Sequence, residues 1–91
     1  MRKRVRLRVW GLVQGVNFRY NTKKYAQSLN LSGWVKNEED GSVTVVAEGE
    51  EERLQKLIAW VRVGPPFASV EKVEVFWEEP KGEEGFQVRY E

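Results

Sequence analysis

The segment Gln14-Gly15-Val16-Asn17-Phe18-Arg19 joins an alternating apolar stretch to a helical one, and its residue types suit the capture of an anion. Backbone N–H groups at the start of a helix find no acceptor within it, and the helix dipole adds partial positive charge there. Gly15 can take a positive φ that side chains resist, so that successive N–H groups converge. Arg19 adds a permanently charged planar fork that matches two phosphate oxygens. Many glycine turns before helices are only tight connections. An arginine at the helix start, with Asn37 brought alongside it, gives the phosphate reading its weight.

What can happen to a bound phosphate is narrowed by what the chain lacks. There is no Cys and no His, which removes phosphocysteine and phosphohistidine routes and the usual thiolate or imidazole metal ligands. A Cys-x5-Arg loop would need its cysteine at position 13, where Val13 stands. The single Asp, Asp40, lies in a turn, so no aspartyl-phosphate route and no carboxylate–imidazole metal cluster is in view. A Gly-x4-Gly-Lys-Ser/Thr loop is absent as well. Direct attack by water remains, on a phosphoryl group whose leaving group needs no proton donor. A carboxylate is such a leaving group, because its conjugate acid has a pKa of roughly 4. The expected substrate is therefore a carboxylic–phosphoric anhydride, an acyl phosphate. Catalysis would rest on positioning and electrostatics, with no metal and no cofactor.

The elements that must hold these residues are legible in the periodicity. Val5, Leu7 and Val9 alternate with Arg4, Arg6 and Arg8 as a half-buried strand. Phe18, Thr22, Tyr25 and Leu29 form one stripe of a helix that stops at Asn30–Gly33. Gly33–Asn37 reads as a second strand, Glu38–Gly41 as a hairpin connection, and Val43, Val45 and Ala47 as the apolar side of a third strand. Three glutamates, Glu50 to Glu52, open a second helix with the stripe Leu54, Leu57, Ile58 and Val61, which ends at Gly64-Pro65-Pro66. Val73, Val75 and Trp77 mark a fourth strand, and Phe86, Val88 and Tyr90 a short fifth.

This β-α-β-β-α-β order predicts one ferredoxin-like α+β domain spanning residues 1–91, an antiparallel sheet of four strands plus a short fifth, with two helices on one face. A right-handed crossover makes the first two strands run the same way with the third between them, which brings Arg19 and Asn37 together.

Five of the first eight residues are basic, and Glu71–Glu91 holds seven acids against three bases. The reading is of neighbouring strands that pair charge against charge. Trp34, Trp60 and Trp77 read as core or core-edge aromatics, and Trp10 falls on the arginine-bearing face of the first strand. A net charge of +1 argues against a dedicated nucleic-acid binder. No apolar run approaches the roughly 18 to 20 residues of a membrane span, and the basic start leads into a strand pattern and not a signal peptide. The expectation is a cytoplasmic monomer. Abundant Lys, Arg and Glu, with no Cys and one Met, is also the composition of a heat-stable protein.

Val9-Trp10-Gly11-Leu12-Val13-Gln14-Gly15-Val16-Asn17-Phe18-Arg19 resembles the first signature of the acylphosphatase family. Gly33-Trp34-Val35-Lys36-Asn37, followed by Gly41, Val43 and Gly49, resembles the second, and Gly64-Pro65-Pro66 and Gly85-Phe86 are similar to that family too. The resemblance covers essentially the whole chain. It implies that Arg19 binds the phosphoryl group, that the N–H groups from Gly15 to Arg19 complete the cradle, and that Asn37 holds the attacking water through its carboxamide. It also implies no metal and no covalent intermediate. Gln14 reads as a brace of the loop. Asn17 sits where the family varies, and Glu38 stands where many relatives carry a hydroxyl, with Ser42 offering one nearby. A carboxylate at 38 would repel a dianion unless it points outward.

Three rivals remain. RNA-recognition modules share this element order and stack bases on aromatics of the middle strands, yet Ser42–Ala47 holds no aromatic. A sensor domain binding an anion without turnover would need nearly the same cradle. Acylphosphatase-like segments also occur within larger carbamoyl-transferring proteins.

Overall fold

The alternation at the start of the chain becomes β1 (Arg2–Leu12), with Val5, Leu7 and Val9 fully buried on one side. The computed structural model describes residues 1–90. Glu91, one of the seven acids counted above and the last residue of the expected 1–91 domain, lies outside the described residues. After β1 come α1 (Phe18–Ser28), β2 (Ser32–Asn37), β3 (Val43–Glu50), α2 (Glu51–Val63), β4 (Ser69–Glu78) and β5 (Phe86–Arg89).

Both helices bury the stripe that their spacing dictates. In α1, Phe18, Thr22 and Ala26 face the sheet, while Tyr25 packs against Trp60 with ring centroids 5.5 Å apart. In α2, Leu54, Leu57, Ile58 and Val61 are buried, each worth about 1.5–3 kcal/mol of transfer free energy. Glu51 and Glu52 lie in the first turn of α2, where the dipole favours negative charge, and Gly64, at φ 76°, ends the helix.

The sheet order is β4-β1-β3-β2-β5. β3 lies antiparallel between β1 and β2, as the crossover argument requires, and β4 is antiparallel to β1. The fifth strand departs from expectation: β5 runs parallel to β2, so the sheet is mixed. The reason is chain length. β4 ends at the edge of the sheet opposite β5, on the end where β2 begins. Crossing four inter-strand spacings of about 4.8 Å uses most of the reach of residues 79–85 at about 3.3–3.6 Å each. No chain is left to return along the strands before β5 starts.

A buried carboxylate fastens this crossing. Glu48 of β3 accepts hydrogen bonds from the N–H groups of Lys81, Gly82 and Glu83 at 2.7, 3.0 and 3.0 Å, and from Arg4 Nη1 at 2.7 Å. Burial alone would push its carboxyl upward, but these donors outweigh burial and hold it at about 2. The basic start of the chain pairs as expected with the acidic end: Arg4 and Arg6 both reach Glu78 at 2.9 Å, and Arg4 also meets Glu83 at 2.9 Å.

Of the tryptophans, Trp60 sits at the core edge against Phe18 and Tyr25. Trp34 lies half-buried on the helix-free face of the sheet, beneath the guanidinium groups of Arg89 and Arg6 at 4.5 and 6.0 Å from its ring. Trp77 is not a core residue. It is 46% exposed, because β4 is an edge strand with a neighbour on one side only.

Candidate active site

The turn from β1 to α1 has the backbone that an anion cradle requires. Gly15 stands at φ 76° and Asn17, the residue before the helix, at φ 61°, both in the left-handed region. A Cβ built on Gly15 would meet nothing within 4 Å, so the loop is open on that side. Among the described residues no acceptor takes the N–H groups of Gly15, Val16 or Asn17; the first N–H to close onto the loop is that of Asn21, which bonds Asn17 O at 3.1 Å. Asn21 Nδ2 donates to the same oxygen at 2.9 Å.

Gln14 ties this turn to the β2–β3 hairpin. Its Nε2 donates to Glu38 O at 2.8 Å and to Ser42 O at 2.9 Å, so the loop is braced against the segment that carries Asn37. The brace foreseen for Gln14 is thus real, and its target is the hairpin.

Arg19, in the first turn of α1, and Asn37, the last residue of β2, line one cavity of about 640 Å³ together with Val13, Gly15, Asn17 and Phe18. Residues far along the chain are thereby brought to the same end of the sheet. Asn37 Oδ1 is buried and accepts no hydrogen bond from any described residue. The Phe18 side chain is buried and packs against Trp60, with ring centroids 6.0 Å apart.

The remaining wall was not foreseen. Tyr20 and Lys23 of α1, Gln87 and Val88 of β5, and Tyr90 line the same cavity. The Arg19 guanidinium lies over the Tyr90 ring, 4.7 Å from its centroid. Tyr90 comes here because β5 is parallel to β2, which carries the end of the chain to the end of the sheet where Asn37 lies. Lys23 could have been found from its spacing, four residues after Arg19 on one helix face. Tyr90 left no such signal.

Two residues flagged near the site belong elsewhere. Glu38 Oε2 accepts from Thr44 Oγ1 at 2.6 Å, and Glu38 does not line the cavity of Arg19. The Ser42 hydroxyl donates to Asp40 Oδ1 and accepts from Arg8 Nε, both at 2.6 Å. Bonds from the Ser42 hydroxyl and N–H, with the Arg8 guanidinium alongside, hold the Asp40 carboxyl below its usual range. Among the described residues the cavity therefore carries Arg19 and Lys23 and no acidic side chain. Among the described residues no group of three or more His, Cys, Asp or Glu comes together to hold a metal.

Fold and cavity define a small ferredoxin-like α+β domain with a cationic pocket at its first strand-to-helix turn. The acylphosphatase family profile matches residues 5–88. An acylphosphatase of Thermococcus kodakarensis is 52% identical over 87 residues, covering 96% of each chain. The crystal structure of acylphosphatase from Bacillus subtilis superposes with a TM-score of 0.94 at 40% identity, over 99% of this chain and 100% of that one. Full-length HypF, in its phosphate- and nucleotide-bound form, contains a region with a TM-score of 0.92 at 27% identity, over 98% of this chain and 12% of HypF. The chain belongs to the acylphosphatase family, hydrolases of acyl phosphates.

Proposed function

We propose that the protein cleaves the carboxyl–phosphate bond of acyl phosphates by in-line attack of one water, with no metal and no covalent intermediate. Arg19 and the N–H groups of Gly15 to Arg19 grip the phosphoryl oxygens. Asn37 accepts a hydrogen bond from water through Oδ1 and aims its oxygen at phosphorus. The new P–O bond forms as the anhydride P–O bond breaks, and the carboxylate leaves with the electron pair. The proton of the attacking water passes to the released phosphate or to solvent. No general acid is needed, because the leaving carboxylate is a weak base.

The observation that carries this reading is the convergence of Arg19, the unbonded loop amides and a buried, unbonded Asn37 Oδ1 on one cavity whose described lining holds no acid. Alkyl phosphates should be poor substrates, because an alkoxide leaving group calls for a general acid and the described lining holds no carboxylic acid or imidazole to serve as one.

The protein acts, in the same reading, as a heat-stable cytoplasmic monomer on a small molecule, with neither nucleic acid nor membrane as a partner. No helix among the described residues is long and apolar enough to cross a membrane. Of the aromatic rings on the helix-free face, Trp10 and Trp34 are already covered by Arg8, Lys72, Arg6 and Arg89, which leaves those two poor platforms for bases.

The test is hydrolysis of benzoyl phosphate by purified protein in excess chelator. Turnover should persist, with inorganic phosphate as a competitive inhibitor. Activity abolished by the chelator and restored by a divalent metal would end the metal-free mechanism.

A further inference from the structure

Lys23 is a second cation in the cavity, and the phosphoryl chemistry above does not use it. It follows Arg19 by four residues on α1, so it stands about one helical turn, roughly 5–6 Å, further from the Gly15–Arg19 amides. Among the described residues no acid lines the cavity and Lys23 forms no ion pair. On β1, by contrast, Arg2, Lys3, Arg4, Arg6 and Arg8 each have a carboxylate partner. The phosphoryl charge is met at the helix start by Arg19, the amides and the dipole. A positive charge one turn beyond is placed for what the phosphoryl group is attached to.

We propose that Lys23 binds an anionic group on the acyl part of the substrate, so that the preferred substrates are acyl phosphates carrying a second negative charge, such as monoacyl phosphates of dicarboxylic acids. This inference rests on the acyl phosphate reading of the same cavity. Lys23 is half-buried and lines the cavity, and partial desolvation there strengthens an ion pair made by its ammonium. Tyr20, three residues before Lys23 on the same side of α1 and 59% exposed, supplies an aromatic edge at the mouth along which the carbon chain can run. Lys23 thus acts on specificity, while Arg19 and Asn37 act at phosphorus.

The experiment compares benzoyl, 3-carboxybenzoyl and 4-carboxybenzoyl phosphate, rigid probes whose free carboxylates cannot reach back to the anhydride. The spontaneous hydrolysis of each serves as the reference for intrinsic reactivity. The parent protein should favour a carboxylated probe about three- to tenfold in kcat/KM, through a lower KM, and rising ionic strength should shrink that preference. Lys23→Met should bring the ratio of carboxylated to plain probe to about one, and Lys23→Arg should restore it. A parent ratio of one, or a ratio that survives Lys23→Met, overturns the inference, even if all rates fall together. If the parent turns over none of the three, the acyl phosphate reading fails and this inference with it.

Discussion

At the scale of single residues, the proposed mechanism gives two side chains different work, so their variants should fail differently. On that proposal, Asn37→Ala removes the group that aligns water but leaves the phosphoryl grip intact. Its kcat on benzoyl phosphate should fall by about 10² or more, while the inhibition constant of inorganic phosphate stays near the parent value. Parental kcat in this variant would rule out the water-aligning role. Arg19→Ala removes charge from ground state and transition state alike, so kcat/KM should fall by about 10³ and phosphate inhibition should weaken with it. Tyr90 touches Arg19 through its ring face only. Tyr90→Ala should raise KM about two- to fivefold, the loss of an exposed cation–π contact, and Tyr90→Phe should restore it. Arg19 and Asn37 were legible because each falls in a motif whose residue types have a chemical reason. Tyr90 and Lys23 were not, because a tyrosine near the end of the chain and a lysine on a helix are common surface residues. Only their shared cavity sets them apart.

At the scale of elements, the β1–α1 turn is the part whose backbone matters most. Gly15→Ala forces a side chain into φ 76°, at a cost of about 1–2 kcal/mol, and sets a methyl on the open side of the cradle. Gly41, in the hairpin, has φ 93° and equally open surroundings but lies away from the cavity. Thermal melts and kinetics should therefore separate the two substitutions. Both should lower Tm, and Gly15→Ala alone should raise KM. The helices and all five strands could be read from period and breakers, though not the direction of the fifth, since each buries one face and the apolar residues repeat accordingly. The anchoring of the turn on the hairpin by Gln14 could not, because its acceptors are backbone carbonyls that any residues could have supplied.

For the whole molecule, Glu48 is the residue that fastens the crossing between β4 and β5. It so fixes, indirectly, the wall of the cavity that Tyr90 completes. Glu48→Gln takes one of three carboxylates from the buried Arg4, Glu78 and Glu83 remaining, and removes the charge that the Lys81, Gly82 and Glu83 N–H groups solvate, a loss of about 3 kcal/mol. At about 4–8 °C per kcal/mol for a domain of this size, Tm at neutral pH should drop by more than about 10 °C. The folded-state carboxyl is depressed from 4.5 to about 2. Its contribution is therefore complete above pH 4.5 and lost as pH falls towards 2, on the order of 3 kcal/mol in all. Denaturant titrations across that window should show the parent losing stability and Glu48→Gln staying flatter. Equal slopes would mean that Glu48 is not the group titrating. Within the strand pattern Glu48 reads as an ordinary outward-facing acid. It is fully buried because residues 79–85 close over it.

Local order and chemistry were written in the chain itself: which stretches alternate or wind, where they break, and which reactions a protein without Cys or His can perform. Those properties depend on neighbours a few residues away and on residue type. The direction of β5, the exposure of Trp77, the burial of Glu48 and the meeting of Tyr90 and Lys23 with Arg19 depend on how far 79–85 can reach and on which edge of the sheet receives it. That is a matter of distances across the folded sheet, which no periodicity along the chain records.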